Sequence, residues 1–200
     1  MKRTHREDLW CWSRFDEARD MDFNSLFWVR RFGNVAVDPL PLSEHDRAQI
    51  RREGGIATIV VTNSDHARAA ASLADEFGAE LVGPRAERDR FPVPCHRWLG
   101  EGDQVVAGLR VLEVHGSKTP GELALLLEDT TLITGDLVRA PRGGRLDLLP
   151  NAKLADRNAA LAFLRRLEEM PIEAVLVGDG WPLFSGGAAA LSALLRRQPA

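Results

Sequence analysis

Apolar and polar positions along this chain fall into short blocks whose period changes repeatedly. Residues 56–61, Ile-Ala-Thr-Ile-Val-Val, form a nearly unbroken apolar run, the pattern of a strand covered on both faces. Residues 174–177, Ala-Val-Leu-Val, read as a second buried strand. Short runs at 105–106, 109–114, 122–127 and 131–134 are broken by glycine or acidic turns and predict further strands. Residues 80–83 add another, and 26–31 with 34–38 predict a hairpin around Phe32-Gly33. Between these lie segments of helical period. Ser43 with Asp46 starts a helix that runs to the Gly54-Gly55 stop, and the alanine-rich stretch 65–77 ends at Gly78. Residues 154–170 place Leu161, Leu164 and Leu167 on one face, and 186–197 form a final helix. Strand pairs with crossover helices in both halves predict an α/β layer architecture, two packed sheets with helices outside, within a single domain over residues 1–200.

The first 25 residues are polar but carry Trp10, Trp12, Phe15 and Phe23. Aromatics at this density predict a segment packed on the body, with Trp10, Trp12 and Phe15 roofing a pocket mouth.

Composition narrows the function more than the fold. With 44% hydrophobic residues, 28% charged residues and a net charge of −3, the chain has no basic excess to neutralise a phosphate backbone, so no nucleic-acid partner is expected. No run approaches the roughly 18 apolar residues of a membrane span, and the charged start Met-Lys-Arg-Thr-His-Arg-Glu-Asp is unlike a signal peptide. Cys11 and Cys95 are read as two reduced thiols in a cytoplasmic protein. The expected partner is a small molecule, with neither nucleic acid nor membrane; a homodimer stays open.

Candidate chemistry sits where buried strands run into polar residues, because loops converge there over a rigid sheet. Ile59-Val60-Val61 runs into Thr62-Asn63-Ser64-Asp65-His66, Leu132-Ile133-Thr134 into Gly135-Asp136, and Val175-Leu176-Val177 into Gly178-Asp179-Gly180. A fourth segment, His115-Gly116-Ser117-Lys118-Thr119-Pro120-Gly121-Glu122, is a polar turn between two strands. No Gly-x-Ser-x-Gly elbow, phosphate loop or dinucleotide fingerprint competes with them.

In this order the four segments resemble the metallo-β-lactamase superfamily, over about residues 26–195. That family's pattern is His-x-His-x-Asp-His, then Gly-His-Thr-Pro-Gly, Gly-Asp and Gly-His-Gly. Asp65-His66, Thr119-Pro120-Gly121, Gly135-Asp136 and Gly178-Asp179-Gly180 match it in turn, and Asp38-Pro39 fits the aspartate that ends an early strand. The resemblance implies a four-layer αββα sandwich, a two-metal site and hydrolases such as those of glyoxalase II type. The departures are specific. The two leading histidines fall on Val61 and Asn63, or a gapped reading sets Asn63 on the first and deletes the second. The next histidine is Lys118 and the last is Asp179. By the resemblance, the first metal therefore loses all its ligands, since neither valine nor a charged lysine ligates a metal. The second keeps Asp65, His66 and Asp136, with Asp179 as a new oxygen donor.

The expectation is thus no metal or one divalent ion (Zn, Mn or Mg), an oxygen-rich set suiting Mg, Mn or Ca over Zn. Three converging carboxylates need a cation among them, and Lys118 is a second way to supply it. Lys118 and Asp65 are the catalytic candidates, with Asn63, His115 and Thr119 as pocket residues. Each has a plainer reading: Ser64 and Asp65 as helix caps, Asp136 and Asp179 as turn formers, His66 as a bonded core histidine. Two functions follow: a catalytically weak or inactive relative that binds a small ligand, or a mononuclear hydrolase of an ester, thioester or related bond.

Overall fold

The computed structural model describes residues 1–198. Its first sheet has seven strands in chain order: β1 (Lys2–Arg3), β2 (Leu9–Asp16), β3 (Met21–Trp28), β4 (Val35–Val37), β5 (Thr58–Val60), β6 (Glu80–Pro84) and β7 (Arg97–Leu99). The first four pair antiparallel; from β4 onward the pairing is parallel. The parallel crossovers are α1 (Glu44–Arg52), α2 (Ala70–Phe77) and, between β6 and β7, the 3₁₀ segment Arg85–Arg90. A second sheet of five strands follows, β8 (Gln104–Val106), β9 (Leu109–Glu113), β10 (Leu123–Leu127), β11 (Thr131–Thr134) and β14 (Ala174–Val177), in the order β14-β11-β10-β9-β8. The separate hairpin β12 (Val138–Arg142) and β13 (Arg145–Leu148) leads to α3 (Arg157–Leu167), and α4 (Gly187–Arg196) follows β14.

Side-chain alternation along the strands builds three apolar layers. Val60, Val82, Leu125, Ile133 and Leu176 meet between the sheets. Ile59 and Leu81, one position along, pack with Ile50 of α1 and Leu73 of α2. Leu126, Leu132 and Val175 face Leu161 and Leu164 of α3 and Leu191 of α4. The result is the four-layer αββα sandwich that the sequence pattern implies. No helix among the described residues is long and apolar enough to cross a membrane.

Three sequence expectations change. Residues 1–25, expected as a segment packed on the body, form β1, β2 and the start of β3, the edge of the first sheet. Trp12 is buried in the helix-side layer and its indole N–H donates to the Leu40 carbonyl over 3.2 Å. Phe15 is 59% exposed. The strand placed at 26–31 begins earlier, at Met21, and ends at Trp28. The helix expected over 65–77 begins only at Ala70, after a single 3₁₀ turn at Ser64–His66. Arg68, with φ +35°, breaks the path between them. The chain thereby turns His66 inward before α2 starts.

Candidate metal centre

β11 and β14 are parallel neighbours in register, Thr134 opposite Val177. Gly135-Asp136 and Gly178-Asp179 therefore leave the sheet side by side. From the facing sheet, β4 runs into Asp38 and β5 into Thr62 and Asn63. The sheets are tied at this edge: Asn24 N–H donates to the Gly178 carbonyl over 2.8 Å, and Gly180 N–H to Asp22 over 2.7 Å.

His66, Asp136 and Asp179 converge here, each with one ligand atom within 4.8 Å of the others, and all three are buried. The His66 ring is oriented from behind. Asp38 Oδ2 lies 2.8 Å from its Nδ1, while Nε2 faces Asp136 Oδ1 at 3.8 Å. Asp38 is itself clamped by the Thr62 N–H at 2.7 Å and hydroxyl at 2.6 Å, at a backbone φ of +46° that a non-glycine residue seldom adopts. Burial works against charge on both groups, yet their pairing outweighs it: His66 is raised above its ordinary pKa and Asp38 lowered below its own. Asp179 is pushed up, first by burial and then by the charge of Asp136. Its Oδ1 is buried without a hydrogen-bond partner.

Lys118 stands beside this group. Its Nζ is 2.8 Å from Asp65 Oδ2 and 3.0 Å from Asp136 Oδ2. These two carboxylates outweigh the burial of the ammonium and raise its pKa; Lys118 in turn lowers that of Asp65. Asn63 braces the pair, donating from Nδ2 to Asp136 Oδ2 over 3.1 Å and accepting the Asp65 N–H at Oδ1 over 3.0 Å.

The remaining candidates divide. Asp65, read from sequence as a metal ligand, stands outside the group of three; its side chain is 55% exposed and turned to Lys118. Its backbone N–H does receive the 3₁₀-turn cap, but from Asn63 and not Ser64. His115 is exposed and belongs to no such group. Thr119 is buried, with a hydroxyl that has no partner. Glu122, buried near Asp136, appears in the sequence reading only as the end of a polar turn and the start of a strand, not as a site residue, although a carboxylate heading the apolar run Leu123–Leu127 is a visible signal.

The arrangement fits one divalent cation. His66 offers a free Nε2 because Nδ1 is committed to Asp38, two carboxylates lie alongside, and the orphaned Asp179 oxygen lacks any other partner. The position beside Asn63 is filled by an ammonium.

Comparisons with known proteins bear on the family and the fold. A family model described as "Metallo-beta-lactamase superfamily" matches residues 1–197. A hydroxyacylglutathione hydrolase of Rhizobium meliloti is 30% identical over 135 residues, 64% of this chain and 52% of that protein. A second, from Brucella anthropi, is 30% identical over 106 residues, covering 50% of this chain and 40% of its own. The chain thus spans about half the length of these curated relatives or less. The structure superimposes on a metallo-beta-lactamase from Pontibacter korlensis with a TM-score of 0.74 at 16% identity, covering 96% of this chain and 97% of that one. For the DIM-1 metallo-beta-lactamase the TM-score is 0.73 at 15% identity, with coverage of 98% and 95%.

Proposed function

We propose, from the premise that this chain belongs to the metallo-beta-lactamase superfamily, that it carries a single-cation variant of that fold's site. In this reading Lys118 stands in for one ion, and the site binds a small ligand with slow hydrolysis of an ester or thioester at most. The observation that carries it is the Lys118 ammonium seated between Asp65 and Asp136 at 2.8 and 3.0 Å. His66, Asp136 and Asp179 would hold the ion, which when bound acidifies water and polarises a carbonyl.

The chain's own groups then have definable parts. An ammonium has three protons; two point at Asp65 and Asp136, and the third is free to donate to a ligand oxygen and stabilise negative charge there. Asp38 keeps a proton on His66 Nδ1, leaving Nε2 as a donor pair for a cation. Asp65, anionic against Lys118, is available as an acceptor and not as an acid at neutral pH. The hydrolase names of the relatives support a substrate with a cleavable acyl bond. A second reading, binding without turnover, is favoured by Lys118 already neutralising Asp136, which leaves a bound ion less carboxylate charge to draw on.

The test is elemental analysis of protein purified without added metal, joined to a panel of lactam, thioester, lactone and phosphodiester substrates with Zn, Mn, Mg or none added. One ion per chain and slow acyl hydrolysis that vanishes in Asp136→Ala support the proposal. One bound ion with flat activity across the panel favours the second reading. Two ions per chain at full occupancy would refute the assignment of Lys118.

A further inference from the structure

Glu122 takes no part in the group of ligands, yet one carboxyl ties together the two turns that form the ion pair. Its backbone is fixed first. The Glu122 carbonyl accepts the Val114 N–H over 2.9 Å, and the next residue, Leu123, donates to the Thr62 carbonyl over 2.8 Å. The residue is 1% exposed. Oε1 accepts the Leu137 N–H over 2.9 Å, and Oε2 accepts the Ser117 hydroxyl. Ser117 immediately precedes Lys118, and Leu137 immediately follows Asp136. These are the neighbours of the two residues whose charged atoms meet at 3.0 Å.

The clasp depends on a close approach. A Cβ on Gly135 would lie 2.9 Å from Thr62 Oγ1, 3.0 Å from Asn63 Nδ2 and 3.1 Å from Glu122 Oε1. Any larger residue there would force apart the carboxyl, the amide that braces Asp136, and the strand end that carries Asp136. A carboxyl so enclosed is costly to bury: burial, and next the charge of Asp136, push it up to about 7. Both its oxygens are nonetheless spent on these two turns and on nothing else.

We infer that Glu122 is a positioning residue of the site: by gripping Ser117 and Leu137 it sets the separation of Lys118 from Asp136, and so the room left beside Asp136 for a cation. The inference rests on the proposal that Lys118 stands in for one ion.

Limited acetylation with an N-hydroxysuccinimide ester, followed by mass spectrometry, tests it through Lys118 itself. Lys2 and Lys153, the other lysines of the chain, are exposed and serve as internal references. In the wild-type protein Lys118 should label more slowly than both. Glu122→Ala should speed Lys118 relative to the references by about fivefold, the equivalent of one lost hydrogen bond. Glu122→Gln should restore the slow rate, because a carboxamide accepts from Leu137 and donates to Ser117. Circular dichroism confirms that each variant is folded. Should Glu122→Ala fail to fold, Ser117→Ala, which removes one arm of the clasp, decides with an expected smaller acceleration. Unchanged Lys118 labelling in a folded Glu122→Ala protein, or in Ser117→Ala where that variant decides, overturns the inference. Wild-type Lys118 labelling as fast as Lys2 would instead remove the reading of Lys118 on which the inference rests.

Discussion

Lys118 and Asp136 come from turns in different parts of the chain, yet Nζ and Oδ2 lie 3.0 Å apart with Asp136 almost wholly buried. A buried carboxylate held by a partly exposed ammonium is asymmetric: removing the lysine leaves the anion where water cannot reach it. Lys118→Met should therefore lower stability by about 1–2 kcal/mol, less than for a fully buried pair because the lysine is itself partly solvated. Thermal unfolding with and without a divalent cation checks this. The metal should raise the melting temperature of the variant more than that of the wild type, and equal shifts would show that Lys118 does not compete with the cation for Asp136.

Metal affinity should follow the group of three and not the sequence motif. His66→Ala and Asp179→Ala should each weaken Zn or Mn binding by about tenfold or more, read by competition with a chromophoric chelator. Asp65→Ala should change it by less than about threefold, because that carboxylate stands outside the group. A large loss on removing Asp65 would mean that the ion sits where Lys118 now does.

Glu122 gives a pH dependence with a definite sign. Its folded pKa, about 7, lies above its ordinary 4.5. The associated stability is fully present below about 4.5 and is lost as pH rises through 7, since the unfolded chain releases the proton first. Glu122→Gln cannot lose it. The variant should gain on the wild type by up to about 3 kcal/mol between pH 4 and 8 in urea unfolding. A difference that stays constant across that range would show Glu122 titrating normally.

The edge strands carry stability. Removing residues 1–20 strips β1 and β2 from the sheet together with Leu9 and Trp12, both buried. The truncated protein should not reach the native circular dichroism spectrum. The milder Trp12→Ala should cost about 3–5 kcal/mol through its cavity and the lost bond to Leu40. An unaltered melting temperature would show that the segment carries no stability.

What the sequence makes legible depends on how cleanly each element shows its period. The strand carrying Ile59 and Val60 and that carrying Val175 and Leu176 are apolar on both sides, and no helix of that length competes. β2 is read as a packed segment and not as a strand because Ser13, Arg14 and Phe15 are exposed and break the alternation. β12 is missed because Arg139, Pro141 and Arg142 mimic a loop. At the site, the order of strand ends marks which turns meet, since parallel strands deliver their C-terminal ends together. Side-chain direction is not written there. Asp65 and His66 are adjacent, and only the 3₁₀ turn with the positive φ of Arg68 sends one outward and the other in. Glu122 escapes notice for the same reason: its role depends on two partners, Ser117 and Leu137, brought to it by folding.

The in-register pairing of β11 with β14 has a consequence for how this site can be damaged. Because strand residues alternate faces, deleting a single residue from β11 would turn Ile133 out of the space between the sheets and bring Leu132 into it, while carrying Asp136 away from Asp179. The core and the ligand group share one alignment. A register slip between these two parallel strands should yield a misfolded protein and not a folded one with a scrambled centre. Conversely, any variant that retains native packing of Ile133 against Leu176 inherits the side-by-side placement of the two aspartates without needing the loops to find it.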